Sequence, residues 1–329
     1  MKALFYTGPE SLEFRDADHP VAGQGEVIVK IDSVGICGSD MHAFLGHDER
    51  RPEPLILGHE AAGTVVGGAL DGHRVTVNPL VTCGACSACV SGRDNLCPDR
   101  QIISMPPREG GFAQYVAIPA ANIVAVPDGF SLEKASLAEP IACGWHAVRL
   151  ANEAMGGDLS GKSALVIGGG AIGVGAALSL LSAGVQELTV LEPNKTRRDY
   201  LIQNTGLRVI DPNDLDVKIE FDLVIDGVGM VPTRCTASAV TRPGGVIMHI
   251  GLGAPAGGLD IRRLTLQEIS FIGTYTYTAA DFRATAQAMF DGLLGTLDWY
   301  ETRPLSAGAQ AFSDIRKGIV QAPKVILKP

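Results

Sequence analysis

The sequence predicts an α/β protein of two domains, one an antiparallel, barrel-like β domain and the other a doubly wound parallel sheet flanked by helices. Two observations predict the second domain. After residue 143, apolar strand-length runs alternate with helix-length stretches, the pattern of parallel βαβ units. A glycine cluster also stands between the first of those strands and its helix. The first domain is predicted by short β-branched runs over residues 1–70, punctuated by Gly and Pro. The length, 329 residues, suits about two domains at roughly 150 residues each.

In the N-terminal part, residues 26–31, 63–66 and 74–77 read as strands, because Val, Ile and Thr dominate them. Further on, residues 163–167, 187–191, 221–226 and 246–250 read as buried strands. Helices are expected over 172–181, 196–204 and 233–240 between them. The chain turns helical again over 280–294 and closes on a short strand near 324–327.

Composition excludes several classes. Basic residues number 27 and acidic residues 36, a net charge of −9, which argues against a nucleic-acid partner. The start Met1-Lys2-Ala3-Leu4-Phe5-Tyr6 leads into an acidic segment, so no signal peptide is expected. The longest apolar run, near 176–183, is broken by Ser179 and Ser182 and is too short to span a bilayer. The expectation is a soluble, cytoplasmic protein with no membrane partner. Four of the seven cysteines crowd into residues 83–97, which in a reducing compartment points to metal rather than disulfides.

Gly168-Gly169-Gly170-Ala171-Ile172-Gly173 has the spacing Gly-x-Gly-x-x-Gly of a dinucleotide site. Gly168 permits the tight turn, Gly170 lets backbone approach a pyrophosphate, and Gly173 lets helix and strand pack closely. The helix N-terminus then offers unpaired N–H groups to the anion. Glu192 ends the next strand, near the expected offset of about 20 residues, and would accept the ribose hydroxyls. That carboxylate favours NAD, since it would repel a 2′-phosphate. Lys195, Arg197 and Arg198 follow it and leave NADP open; they also read as a solvated helix start. The candidate cofactor-binding residues are Gly168, Gly170, Ile172, Gly173, Glu192 and Arg197.

Cys83-x-x-Cys86-x-x-Cys89, followed by Cys97, supplies four thiolates, the ligand set of a closed structural zinc. Iron or redox thiols are the alternatives. Two other segments offer a mixed sulfur, nitrogen and oxygen set: Gly35-Ile36-Cys37-Gly38-Ser39-Asp40-Met41-His42 and Gly58-His59-Glu60. Glu139-Pro140 adds a further carboxylate. Three protein ligands with an open position distinguish a catalytic zinc from a structural one.

Taken in order, these segments resemble the zinc-containing medium-chain alcohol dehydrogenase family, especially its sorbitol and polyol dehydrogenase branch. The resemblance covers nearly the whole chain and rests on the Cys37 segment, Gly58-His59-Glu60, the four-Cys lobe, Glu139-Pro140 and the glycine fingerprint. It implies a GroES-like antiparallel β-barrel catalytic domain from residues 1–143 and 275–329, with a Rossmann domain over 144–274. It implies two Zn²⁺ per chain, one catalytic and one structural, with NAD as cofactor. Cys37 and His59 would hold the catalytic zinc, with Glu60 or Glu139 as third ligand. Asp40 would fix the His59 ring, Ser39 would contact the substrate hydroxyl, and His42 would pass its proton towards solvent. Zinc as a Lewis acid lowers the pKa of an alcohol, and hydride then passes to the nicotinamide.

Two places depart from the family. The stretch 67–75 is short, with His73 where Asp is common. In Gly273-Thr274-Tyr275-Thr276-Tyr277, Thr276 replaces an Arg that binds a polyol hydroxyl in sorbitol dehydrogenases. Tyr275, Thr276 and Phe112 are the candidate substrate pocket. The expected activity is NAD-dependent oxidation of a secondary hydroxyl on a polyol, sugar acid or related small alcohol. A threonine-type or simple secondary alcohol dehydrogenase is the alternative within the family, and a nonenzymatic dinucleotide-binding protein the alternative outside it. The family implies a homo-oligomer, a tetramer or dimer.

Overall fold

The computed structural model describes all residues 1–329, and the chain divides into two compact units. The first comprises Met1–Glu139, Thr278–Asp291 and Tyr300–Pro329; the second comprises Pro140–Tyr277 and Gly292–Trp299. These limits differ from the expected 143/144 and 274/275 divisions. The helix Ala138–Ala154 is shared at its first turn, and the segment Gly292–Trp299 packs with the second unit. No helix is long and apolar enough to cross a membrane.

The first unit is built on a bent seven-stranded sheet. Its organising strand, Glu26–Gly35, pairs antiparallel with Glu60–Val66 along its length. Its first half also pairs with Tyr115–Pro119 and its last residues with Lys324–Lys328. One strand serving three neighbours must bend, and the register shifts between Ile31 and Ser33 where it does so. A three-stranded sheet packs beside it, ordered Ser11–Asp16, Lys2–Gly8, Leu55–Ile56. The core between them holds Leu4, Val34, Leu57, Phe112 and Phe312, all 1% exposed or less. Phe112 and Phe312 meet edge to face at 5.9 Å, an arrangement aromatic rings favour.

The C-terminal strand is tied in electrostatically as well. Lys328 Nζ donates to Asp32 at 2.6 Å and also to Glu133. Burial pushes the Glu133 carboxyl up, but hydrogen bonds from Lys328 and Ser131 outweigh it and bring it from 4.5 down to about 2. A carboxylate with a depressed folded pKa stabilises the fold above its unfolded value and loses that contribution as pH falls. The stability difference between wild type and Glu133→Gln is therefore expected to shrink between pH 4.5 and about 2. Thermal melts across that range check it; a constant difference would show that the pair contributes nothing.

The second unit is a six-stranded parallel sheet. Taken in chain order, its strands are Ser163–Ile167, Glu187–Leu191, Val209–Ile210, Phe221–Asp226, Thr241–His249 and Ser270–Gly273. They lie in the spatial order 3-2-1-4-5-6. This is the doubly wound dinucleotide-binding arrangement, with its crevice where the order reverses, between the first and fourth strands. Its main helices are Ala171–Ser182, Lys195–Thr205 and Val231–Val240. Leu165, Val224 and Ile247 are wholly buried on one face of the sheet.

Candidate active site

Cys37 follows the long strand and caps the helix Gly38–Phe44. Asp40, in that helix's first turn, accepts a hydrogen bond from Cys37 N–H at 3.0 Å. Its other oxygen accepts from Gly58 N–H at 3.2 Å and lies 3.4 Å from His59 Nδ1. One fully buried carboxylate thus joins two segments distant in sequence. Glu60 begins the neighbouring strand and stands opposite Gly35 in the ladder. A Cβ at Gly35 would lie 2.0 Å from Glu60 Oε2, so the carboxylate occupies room that only glycine leaves. The ligand atoms of Cys37, His59 and Glu60 all lie within 4.8 Å of one another.

Lys324, from the C-terminal strand, completes this cluster. Its Nζ donates to Glu60 Oε1 at 2.6 Å and to Ile36 O at 2.9 Å. Both side chains of the pair are buried. Burial opposes the Lys324 charge, but Glu60, Cys37 and Glu139 outweigh it and raise its pKa. Glu139 is itself buried, in the first turn of the helix Ala138–Ala154. It is not among the three residues whose donor atoms converge.

The cluster fits a metal ion. Glu60 Oε2 is buried and has no hydrogen-bond partner, an arrangement that is costly unless a cation satisfies it. A thiol, an imidazole and a carboxylate form a borderline-soft donor set suited to zinc. The surroundings also draw positive charge. Burial lowers the His59 pKa, yet Asp40 and Cys37 together drive it well upward. Burial raises Asp40, and His59 and Arg51 bring it below its usual range.

The four-cysteine lobe fits a second ion. Cys83, Cys86, Cys89 and Cys97 place their sulfurs within 4.8 Å of one another, and none forms a disulfide. Cys83 Sγ and Cys89 Sγ are 3.9 Å apart, and Cys86 Sγ and Cys89 Sγ 3.5 Å. A tetrahedron with Zn–S bonds of about 2.3 Å has sulfurs about 3.8 Å apart, so the spacing fits. Backbone N–H groups of Ala85 and Cys86 lower the Cys83 pKa to about 6, which favours the ligating thiolate. Asp94 in the lobe accepts from Ala279 N–H at 2.9 Å and ties it to the start of the helix Ala279–Phe290.

In the second unit, the glycine motif lies where the first strand meets the helix Ala171–Ser182, with Gly170 at its N-cap. A Cβ on Gly173 would lie 1.8 Å from Gly168 O, so helix and strand meet backbone to backbone. A Cβ on Gly170 would meet nothing within 4 Å, which leaves open space at the helix N-terminus for an anion. Glu192 is buried and accepts from Gly169 N–H at 3.1 Å and Asn194 N–H at 2.8 Å. Lys195 pairs with Asp199 at 2.6 Å and Arg198 with Asp211 at 2.8 Å. Ile172 is half-buried in the helix's first turn, and Arg197 is half-buried with its N–H on Asn194 Oδ1.

The remaining candidates scatter. Ser39 is half-buried and His42 exposed, one helical turn apart on Gly38–Phe44. Phe112 is 0% exposed within the first unit's core, and its ring fills the space beneath Gly58. Tyr275 and Thr276 belong to the second unit and are half-buried. Thr276 has φ +47, unusual for a β-branched residue, and its hydroxyl is buried without a partner. The short loop closes on itself: Gly67 N–H donates to Asp71 at 2.6 Å, and His73 Nδ1 lies 2.9 Å from Leu70 O. Arg108 and Glu109 brace the barrel, Arg108 to Glu26 at 2.8 Å and Glu109 to Ile56 N–H at 2.7 Å.

Residues 23–128 match the alcohol dehydrogenase GroES-like domain, and residues 171–291 match the zinc-binding dehydrogenase domain. The chain is 32% identical to L-galactonate-5-dehydrogenase of Escherichia coli over 307 residues, which spans 89% of this chain and 88% of that one. The chain belongs to the zinc-containing medium-chain alcohol dehydrogenases. The dehydrogenase is also 30% identical to sorbitol dehydrogenase of Bacillus subtilis, covering 84% of this chain and 82% of the relative. Acetophenone reductase of Geotrichum candidum, solved with NAD, superposes with a TM-score of 0.87 at 26% identity, covering 100% and 97% of the two chains. The GroES-like match contains Cys37, His59, Glu60 and the cysteine tetrad, and the second match contains Gly173 and Glu192.

Sequence reasoning missed three buried residues of the dehydrogenase's site: Lys324, Arg51 and Ser104. The one sequence signal for Lys324 is a charge beginning the apolar run Val325-Ile326-Leu327. Nothing local marks the other two.

Proposed function

We propose that this zinc-dependent dehydrogenase oxidises a secondary hydroxyl of a polyol or sugar acid to a ketone, with NAD as cofactor. The observation that carries this reading is the buried Cys37, His59 and Glu60 cluster with its unpartnered carboxylate oxygen. The galactonate and sorbitol dehydrogenase relatives support the substrate class. Bound zinc would supply Lewis acidity that lowers the hydroxyl's pKa, and bound NAD would accept the hydride.

The chain's own residues do the rest. Cys37, His59 and Glu60 hold the catalytic ion, and Glu139 supplies a nearby charge. Cys83, Cys86, Cys89 and Cys97 hold the structural one. Asp40 fixes the ring of His59 while holding Cys37 and Gly58 by their backbone, so the two ligand segments keep one spacing. Ser39 Oγ would accept the hydroxyl proton while passing its own towards His42, which releases a proton to water; three residues apart on one helix, the two share a face. Tyr275 and Thr276 contribute to substrate selection. A cytoplasmic homotetramer completes the reading, and four clustered thiols suit a reducing compartment.

The test is NADH formation over polyols, sugar acids, simple secondary alcohols and threonine with zinc-loaded protein. Turnover confined to polyols and sugar acids is expected. Turnover of simple alcohols or threonine alone would overturn the substrate class and leave the metal site standing.

NAD should be preferred over NADP, because Glu192 is buried where ribose binds while Lys195 and Arg198 are committed to Asp199 and Asp211. Apposed like charges cost several kcal/mol, so kcat/KM should favour NAD by on the order of 100-fold. Glu192→Gln keeps an acceptor for Gly169 N–H and removes the charge. The preference should fall about tenfold; an unchanged ratio would remove Glu192 from cofactor selection.

A further inference from the structure

Ser104 is wholly buried at φ +73, in the left-handed region that favours glycine. A residue held there persists only where its surroundings determine it. Arg51 is the surrounding that does so. Its Nε donates to Ser104 O at 3.0 Å, and its Nη1 to Ser39 O at 3.3 Å and Asp48 Oδ2 at 2.7 Å. Arg51 is itself only 5% exposed. One guanidinium therefore pins the Ser104 carbonyl, the first turn of the helix after Cys37 and the loop at Asp48 together.

With its carbonyl pinned, Ser104 places Oγ 3.3 Å from His59 Nδ1. Asp40 Oδ1 lies 3.4 Å from the same nitrogen, and that oxygen is already shared with Gly58 N–H. A single shared acceptor holds the ring at one point only. A second oxygen at the same edge limits its rotation and favours the tautomer protonated at Nδ1.

We propose that Ser104, clamped by Arg51, is a positioning residue for His59. Its hydroxyl shares the Nδ1 proton with Asp40, so that the ring presents Nε2 to the metal. The inference rests on the reading of Cys37, His59 and Glu60 as ligands of the catalytic ion.

The test compares Ser104→Gly and Ser104→Ala with wild type. Both remove the hydroxyl, and glycine alone also relaxes the backbone. Metal content, metal release to a chelator and the visible spectrum of cobalt placed in the catalytic site are measured, together with Tm. Both variants are expected to release the catalytic-site metal at least about tenfold faster, with a changed cobalt spectrum. The cysteine-tetrad ion should be retained as in wild type. The result should hold whichever way Tm moves. If both variants hold metal like wild type, or only one of them loses it, the positioning role is overturned. If wild type itself binds a single ion, the reading of the site fails first; if it binds two and the variants match it, the Ser104 proposal alone fails.

Discussion

Cys37→Ser is expected to abolish turnover and lower zinc content from about two ions per chain to one, with the fold unchanged. Cys37 is the N-cap of the helix Gly38–Phe44, and serine is a good residue at that position. Asp40 would still receive the backbone N–H of residue 37. The substitution therefore removes a soft ligand without removing a structural contact. Lewis-acid stabilisation is worth several kcal/mol, so kcat should fall by about 1,000-fold or more. Metal analysis and steady-state kinetics check both halves. A variant that kept two ions, or lost less than about tenfold in kcat, would remove Cys37 from the site. Cys83→Ser is the control, since it should lose the other ion and destabilise the lobe.

Lys324→Met should destabilise the protein more than any other single change considered. Lys324 and Glu60 are both buried, and removing one partner of such a pair strands the other charge. That loss typically costs about 3–5 kcal/mol. Lys324 has a pKa raised above its ordinary 10.5, so the contribution of its charge is complete at neutral pH and is lost as pH rises beyond that value. Zinc should soften the loss, because the unpartnered Glu60 Oε2 is available to a cation. Melting temperatures should therefore fall further in chelator-treated protein than in zinc-loaded protein. The double variant Lys324→Met with Glu60→Gln should recover much of the stability, since it no longer buries a lone charge. It should not recover activity, because the carboxylate proposed as the third metal ligand is gone. Equal loss with and without zinc would show that Glu60 and the ion do not interact.

The contrast between these variants reflects what the chain's order reveals. Cys37, His59, Glu60 and the cysteine tetrad stand in compact motifs whose chemistry is local, so they were legible. Four of the six strands of the parallel sheet were legible too, because each carries a short buried apolar run, as in Ala164-Leu165-Val166-Ile167 and Leu223-Val224-Ile225. The two-residue strand Val209–Ile210 and the exposed edge strand Ser270–Gly273 carry no such run and were not expected. The barrel was read less completely. The strand Glu26–Gly35 was expected over residues 26–31 only; it continues to Gly35 through a register shift between Ile31 and Ser33. Phe112 was expected as a pocket wall, and its place in the core is not visible in the segment Gly110-Gly111-Phe112 itself. Its burial depends on Phe312 and Gly58, which lie far away in the chain.

The sequence by itself determined the two-domain α/β class, the dinucleotide motif, the cysteine tetrad and the family. Each follows from residue types at short, regular spacing. Only the tertiary structure decided which residues complete the catalytic cluster. Lys324 reaches Glu60 across 264 residues of chain, and Ser104 reaches His59 across 45. Nothing in local composition encodes such meetings. They arise because the bent strand Glu26–Gly35 brings the N-terminal motifs and the C-terminal strand to one end of the same sheet. There, burial makes each charge and hydroxyl depend on the partner it finds.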